Sequence, residues 1–349
     1  MTIQKSPFVF FGGKSKVASL VWDHFGDVDN YVEPFAGSLA VLLGRPEHHQ
    51  RKAETTNDVD KFICNFWRAL QADPESVAHY ADWPVNETDL AARHIWLINQ
   101  GAASLAKLEG DPDYYDAKIA GYWVWGINAW IGNGWCSGTG YWNVDDNGLL
   151  VDVSDDADRR GVKNQRPHLG NRGQGINRQL PHLGDRGKGI NRKLPHLAAA
   201  ARGTNGTKRA EDLTAYMQAL SDRLRGVRVC SGDWSRVVTR GALAYGETVG
   251  IFLDPPYAAD TGRDMHIYNH ETDVSAAVRE WAIANGHNKR YRIALCGYDG
   301  EHVMPDDWAM IAWKAGASYK HHNGDQTNNR HRERIWFSPG CVMGQASFL

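Results

Sequence analysis

Six consecutive residues carry the most pointed chemistry in the chain: Phe252-Leu253-Asp254-Pro255-Pro256-Tyr257. The apolar run Thr248-Val249-Gly250-Ile251 leads into them, so a buried strand ends in an acid, two prolines and a tyrosine. Proline fixes φ and lacks a backbone N–H, so sheet pairing stops there. Asp254 supplies a carboxylate, Pro255 a carbonyl and Tyr257 a flat ring. An amino group on a planar base needs two acceptors for its two N–H bonds and a surface to stack on. Open α/β sheets place their ligands at the carboxyl ends of strands, where these residues stand. Taken alone, the tetrapeptide also reads as a strand followed by a Pro-Pro turn.

Three earlier stretches bear on that choice. Phe10-Phe11-Gly12-Gly13-Lys14-Ser15 contains Gly-Lys-Ser, but a phosphate-cradling loop needs another glycine where Phe8 stands. Tyr31-Val32-Glu33-Pro34-Phe35-Ala36-Gly37-Ser38 reads as a short strand running into a tight turn, with Ala40-Val41-Leu42-Leu43 opening a helix. Glycine at such a turn lets a ligand approach the backbone. Ala53-Glu54-Thr55-Thr56 reads as the next strand and ends at Asn57-Asp58, with Asp58 21 residues beyond Gly37. Nucleotide-binding sheets place a ribose-hydroxyl acceptor at about that distance. The competing reading makes Asn57 or Asp58 the N-cap of a helix whose apolar face holds Phe62, Phe66, Trp67 and Leu70.

In this order the motifs resemble the Dam-type, or group α, adenine-N6 DNA methyltransferases. The opening resembles their aromatic-x-Gly-Gly-Lys, the turn their Phe-x-Gly-x-Gly, and Asp-Pro-Pro-Tyr their catalytic motif. Leu39 stands where the second glycine of the turn is usual. The resemblance covers about 1–75 and 225–349 and implies an α/β, Rossmann-like S-adenosylmethionine-dependent methyltransferase sheet. It implies S-adenosylmethionine as cofactor, with Phe10, Gly12, Gly13, Lys14, Glu33, Pro34, Phe35, Gly37 and Asp58 around it. Lys14 would pair with the cofactor carboxylate. Asp233-Trp234, just after the strand Val227-Arg228-Val229-Cys230, would border the cofactor's adenine, and Asp254 lies between both substrates. Asp254, Pro255, Pro256 and Tyr257 would be the catalytic set, acting on an adenine flipped from double-stranded DNA. Alternatives of the same chemistry are cytosine N4 or an RNA base. The leading Asp favours DNA adenine, since the resembling cytosine enzymes more often begin with Ser and the RNA enzymes with Asn. A DNA-binding protein of this fold without catalysis is the remaining alternative.

Composition agrees with a two-domain globular protein: 349 residues, 42% hydrophobic, formal net charge −2. No stretch reads as a signal peptide or membrane span, and the five scattered cysteines form no Cys-x-x-Cys. The expectation is a cytoplasmic protein of a bacterial or phage-infected cell, acting on DNA without a metal or a membrane.

Between the two ends, 76–224 reads as an inserted DNA target-recognition region. Its aromatic run, Tyr122-Trp123-Val124-Trp125 through Trp130, Trp135 and Tyr141-Trp142, has no decisive periodicity. Such density favours core over a base-stacking surface, while the glycines suggest a loop or ribbon leaving the core. Pro-His-Leu recurs at 167, 181 and 195, a basic 14-residue repeat over 167–197. From Arg159 to Arg209 there are thirteen Lys or Arg and one acid, Asp185. A segment so basic in a near-neutral chain points to a polyanion, and Arg172, Arg178, Arg186, Lys188 and Arg192 are its candidate phosphate contacts. A tolerated duplication in a surface loop is the plainer alternative.

Overall fold

The computed structural model describes residues 6–8, 14–49, 52–111, 113–130, 135–136, 142–144, 150–152, 206–256, 274–313 and 333–342. Phe10, Gly12, Gly13, Tyr257 and the repeat with its arginines lie outside the described residues.

Seven strands form one sheet: β1 (Asn30–Glu33), β2 (Ala53–Asp58), β5 (Val227–Ser231), β6 (Val249–Leu253), β7 (Tyr291–Tyr298), β8 (Ala309–Ala312) and β9 (Glu333–Phe337). Their order is β5-β2-β1-β6-β7-β9-β8. The first five pair in parallel, while β9 runs antiparallel to both β7 and β8. A further antiparallel pair, β3 (Trp142–Val144) and β4 (Leu150–Asp152), forms a separate two-stranded sheet.

Period-two alternation explains how the sheet is covered on both faces. Tyr31, Phe252, Ala294 and Cys296 join one hydrophobic cluster with Trp22 and Phe25 of α1 (Ala18–Phe25). Their strand neighbours Val32, Ile251, Leu253, Ile293 and Leu295 join the other cluster. There they meet Val278 and Ala282, which belong to a helix over Val274–Asn285. Every residue of β1 and β6 is buried, as expected of central parallel strands.

The helices between β1 and β5 share the first of these cores. α2 (Ala40–Leu43) follows the first turn, and α3 (Lys61–Ala72) lies against α4 (Pro74–Ala81), α7 (Ala117–Ala129) and α8 (Gly206–Leu224). Between them run α5 (Glu87–Trp96) and the short α6 (Ala102–Leu105), and α9 is the helix over Val274–Asn285. The aromatic run is therefore helical up to Ala129, with Trp123 and Trp125 each 2% exposed. Asp116 starts that helix by accepting from the Ile119 N–H. Among the described residues no helix is long and apolar enough to cross a membrane.

Candidate active site

Strand order reverses between β1 and β6, so their connections leave in opposite directions and open a crevice beyond their carboxyl ends. Glu33-Pro34-Phe35 leaves β1 there and Asp254-Pro255-Pro256 leaves β6. On one side β2 brings Asn57 and Asp58 to the same edge, and β5 brings Gly232-Asp233-Trp234. β9 runs the other way, so its first residue, Glu333, also lies at this edge.

The turn after β1 is tied at every step. Ala36 N–H donates to the Asn57 carbonyl at 2.8 Å and Leu39 N–H to the Ala36 carbonyl at 2.8 Å. The Trp67 indole donates to the Gly37 carbonyl at 3.0 Å. Gly37 N–H donates to Asp58 Oδ2 at 2.9 Å. Gly37 takes φ 45°, where the missing Cβ removes the steric penalty. Leu39 also takes a left-handed conformation, φ 54°, ψ 29°. The backbone that a second glycine would adopt is thus kept by a leucine, whose fully buried side chain packs in the core.

Asp58 does not cap the next helix, and neither does Asn57. The Asp58 carboxylate is taken by Gly37 N–H and, through Oδ1, by Asp60 N–H at 2.9 Å. The cap of α3 is Asp60, which accepts from Phe62 N–H. Asn57 straps two turns together, its amide donating to the Pro34 carbonyl at 3.1 Å and the Gly232 carbonyl at 2.9 Å. Its buried Oδ1 has no hydrogen-bond partner among the described residues. Burial, with Asp60 nearby, pushes the Asp58 carboxyl up to about 6 despite its backbone donors.

Asp233 is exposed and caps the short helix Trp234–Val237, accepting from Ser235 N–H at 2.9 Å. Trp234 stacks near Phe35, with ring centroids 6.2 Å apart and planes 26° apart. The acid-aromatic pair after β5 thus meets the turn after β1 across the end of β2.

Lys14, 5% exposed, places Nζ 2.9 Å from Asp254 Oδ1 and 3.9 Å from Glu333 Oε2. Burial works against its charge, but Asp254 and Glu333 outweigh that cost and hold the ammonium firmly protonated. Its charge also lies 5.6 Å from the Trp313 ring centroid. The side chain expected to meet a cofactor carboxylate is therefore found on Asp254. Glu33 is buried at the floor, accepting from Tyr31 Oη at 2.9 Å. Burial, opposed by that bond and reinforced by Asp254 and Glu54, lifts its carboxyl to about 8.

Glu333 and Asn57 were not separable from ordinary strand-end residues by pattern. Glu333 is a single acid before an apolar run, and only the antiparallel course of β9 brings it to Lys14. Among the described residues no group of three His, Cys, Asp or Glu could hold a metal ion.

Residues 10–94 match the D12 class N6 adenine-specific DNA methyltransferase family. The match takes in Lys14, the β1 turn, Asn57-Asp58 and the first four α-helices with most of α5. No curated protein matches the chain. The family match supports adenine-N6 methylation of DNA as the activity, which makes this an S-adenosylmethionine-dependent enzyme acting on DNA.

Proposed function

We propose that the chain methylates the N6 amino group of an adenine flipped out of duplex DNA, as the group α enzymes do, with Asp254 as the catalytic acceptor. The observation that carries this is the Asp254 carboxylate at the switch point, oriented by Lys14 and adjoining the tied turn after β1.

The residues present fit S-adenosylmethionine. A glycine at positive φ, a buried acid behind it and two flat rings beside it suit a nucleoside with ribose hydroxyls. Asp58 would meet the ribose, Phe35, Asp233 and Trp234 the adenine, and Glu33, Pro34 and Gly37 would shape the turn. When bound, the cofactor supplies a methyl group already activated on a positively charged sulfonium.

The chain's own residues must prepare the amino group. Its lone pair is delocalised into the ring, which makes it a poor nucleophile. Asp254 and the Pro255 carbonyl, accepting the two N–H bonds, would localise that pair on nitrogen. One of the two protons must leave as the N–C bond forms, and Asp254 is the acceptor at hand. Lys14 contacts Oδ1 and so sets the carboxylate's direction. A base inside the duplex cannot reach this edge, and extruding it costs roughly a few kcal/mol. Stacking on Tyr257 would return about 1–3 kcal/mol.

In this reading 76–224 supplies target recognition, and Arg172, Arg178, Arg186, Lys188 and Arg192 clamp phosphates. Deleting 167–194 should then flatten the salt dependence of DNA binding by about 0.9 in log–log slope for each phosphate that the segment neutralises. A salt titration of the two proteins would show it; an unchanged slope leaves the repeat a passive loop.

The central test is transfer of a labelled methyl group to defined duplexes, with the modified base identified by nucleoside analysis. N6-methyladenine is the expected product. Label on cytosine N4, or preference for RNA over DNA, would overturn the assignment.

A further inference from the structure

Away from the sheet edge, the helical layer contains a cleft of about 670 Å³ between α4, the turn after it, α5, α7 and α8. Its walls include Glu75, Tyr80, Asp82, Trp83, Arg93 and Tyr122, none of which belongs to the site described above.

Arg93 is the unusual member. It is 8% exposed, and among the described residues no carboxylate lies within ion-pair distance, although Asp89, one helical turn away, is near enough to favour its charge. Its guanidinium carbon lies 4.1 Å from the Tyr122 ring centroid, 4.3 Å from Trp125 and 5.0 Å from Trp83. Among the described residues its side chain makes one hydrogen bond, from Nη1 to the Tyr80 carbonyl, and it is long at 3.5 Å. A guanidinium has five N–H donors, and a buried charge is normally paired. Ring faces offset part of the charge but accept none of the in-plane donors. None of its nitrogens is fully enclosed without a partner, so its remaining donors open to the cleft, where solvent or a ligand supplies their acceptors.

Trp83 indicates what kind of ligand. Its side of the cleft is open, 46% exposed, yet the indole N–H donates to Asp89 Oδ2 at 2.6 Å, which fixes the ring. An exposed indole held in place is a ready stacking platform. Glu75 and Asp82 disfavour a bare phosphate and favour a ligand that also carries donors. A flat ring with two adjacent acceptors for arginine and N–H groups for carboxylates matches guanine, whose O6 and N7 form the commonest specific arginine contact.

We propose that this cleft binds a guanine base, stacked at Trp83 and held through its acceptor edge by Arg93, at a site separate from methyl transfer.

The test titrates full-length protein with guanosine monophosphate, adenosine monophosphate and inorganic phosphate by calorimetry. The guanine nucleotide should bind, with the adenine nucleotide about tenfold weaker or more. Trp83→Ala should weaken guanine binding about tenfold, and Asp254→Ala should leave it unchanged. Arg93→Gln should abolish it. If that variant fails to fold, Trp83→Ala, altering an exposed ring, still decides. An oligothymidine with one guanine, compared with the same strand lacking it, separates a nucleic-acid ligand from a free nucleotide: tightening that depends on the guanine and on Trp83 marks the first, and none marks the second. Absence of binding by every guanine probe, equal binding of inorganic phosphate, or sensitivity to Asp254→Ala instead of Trp83→Ala would overturn the proposal. These readouts are independent of methyl transfer, so a failure of either reading leaves the other standing.

Discussion

The turn after β1 and the turn after β6 face each other across the switch point and are held by different means. The first is set mainly by neutral anchors at Ala36, Gly37 and Leu39, with one bond, from Gly37 N–H, accepted by the Asp58 carboxylate. The second is set by charge, a buried ammonium from near the start of the chain meeting the Asp254 carboxylate. A turn that receives a nucleoside needs one shape under all conditions, and short hydrogen bonds in a packed core provide it. A carboxylate that accepts N–H bonds needs a fixed direction, and the Lys14 ammonium 2.9 Å from one of its oxygens provides that.

The largest expected effect breaks the charged side at its centre. Asp254→Ala should lower methyl transfer about 10³–10⁴-fold, the scale of losing a positioned proton acceptor or oriented charge. The protein should still fold and bind DNA, at a stability lowered by the loss of Lys14's nearest partner. Near-normal turnover in a folded variant would remove Asp254 from the mechanism.

Next comes its partner. Lys14→Met leaves the Asp254 and Glu333 carboxylates without this cation, and breaking such a buried pair costs about 3–5 kcal/mol. Urea denaturation should show this, and adding Glu333→Gln should restore part of it. If the midpoint does not move, charge is not what holds this turn.

On the neutral side, Leu39→Gly sets strain against packing. Glycine would relieve the left-handed penalty of about 1–2 kcal/mol. It would also empty a fully buried leucine site, worth about 2–5 kcal/mol. A net loss of up to about 4 kcal/mol is expected from the difference between those two effects. A thermal melt showing stabilisation would mean that strain dominates there.

The smallest effect separates folding from binding at one residue. Asp58→Ala should weaken S-adenosylmethionine about tenfold in calorimetry without DNA, as loss of a charge-assisted bond implies. The Asp58 carboxyl is lifted to about 6, above its unfolded value, so its contribution to stability is complete below pH 4 and fades as pH rises through 6. Glu33, lifted to about 8, acts in the same direction over a higher range. Ribose binding wants the ionised form of Asp58, so it runs oppositely. Between pH 7 and pH 5 the protein should gain stability from these groups while cofactor affinity falls. Affinity that is flat across that range in the wild type would return Asp58 to a purely structural role.

Much of the sheet was legible because its strands are short apolar runs between turn residues. The expected strand at 53–56 lies within β2 and that at 227–230 within β5. The helix whose apolar face holds Phe62, Phe66, Trp67 and Leu70 is α3. The aromatic run was not legible, since α7 is buried nearly all round and a helix without a polar face shows no period. Leu39 was visible as a departure from pattern, but its effect on the backbone was not. Whether a leucine tolerates positive φ depends on what surrounds its side chain.

By itself the sequence determined the chemistry on offer: two acceptors and a flat ring at a strand end, a glycine turn, and an acid 21 residues beyond it. These are local facts, decided by residue type and by the few positions on either side. Only the tertiary structure decided which charges meet. Lys14, Asp254 and Glu333 come from the start, the middle and the far end of the chain, and β9's reversed course brings the third to the other two. Arg93 finds Trp83, Tyr122 and Trp125 only because α5 and α7 pack together. Burial sets how strongly each such charge needs a partner, and burial is a property of the packed chain.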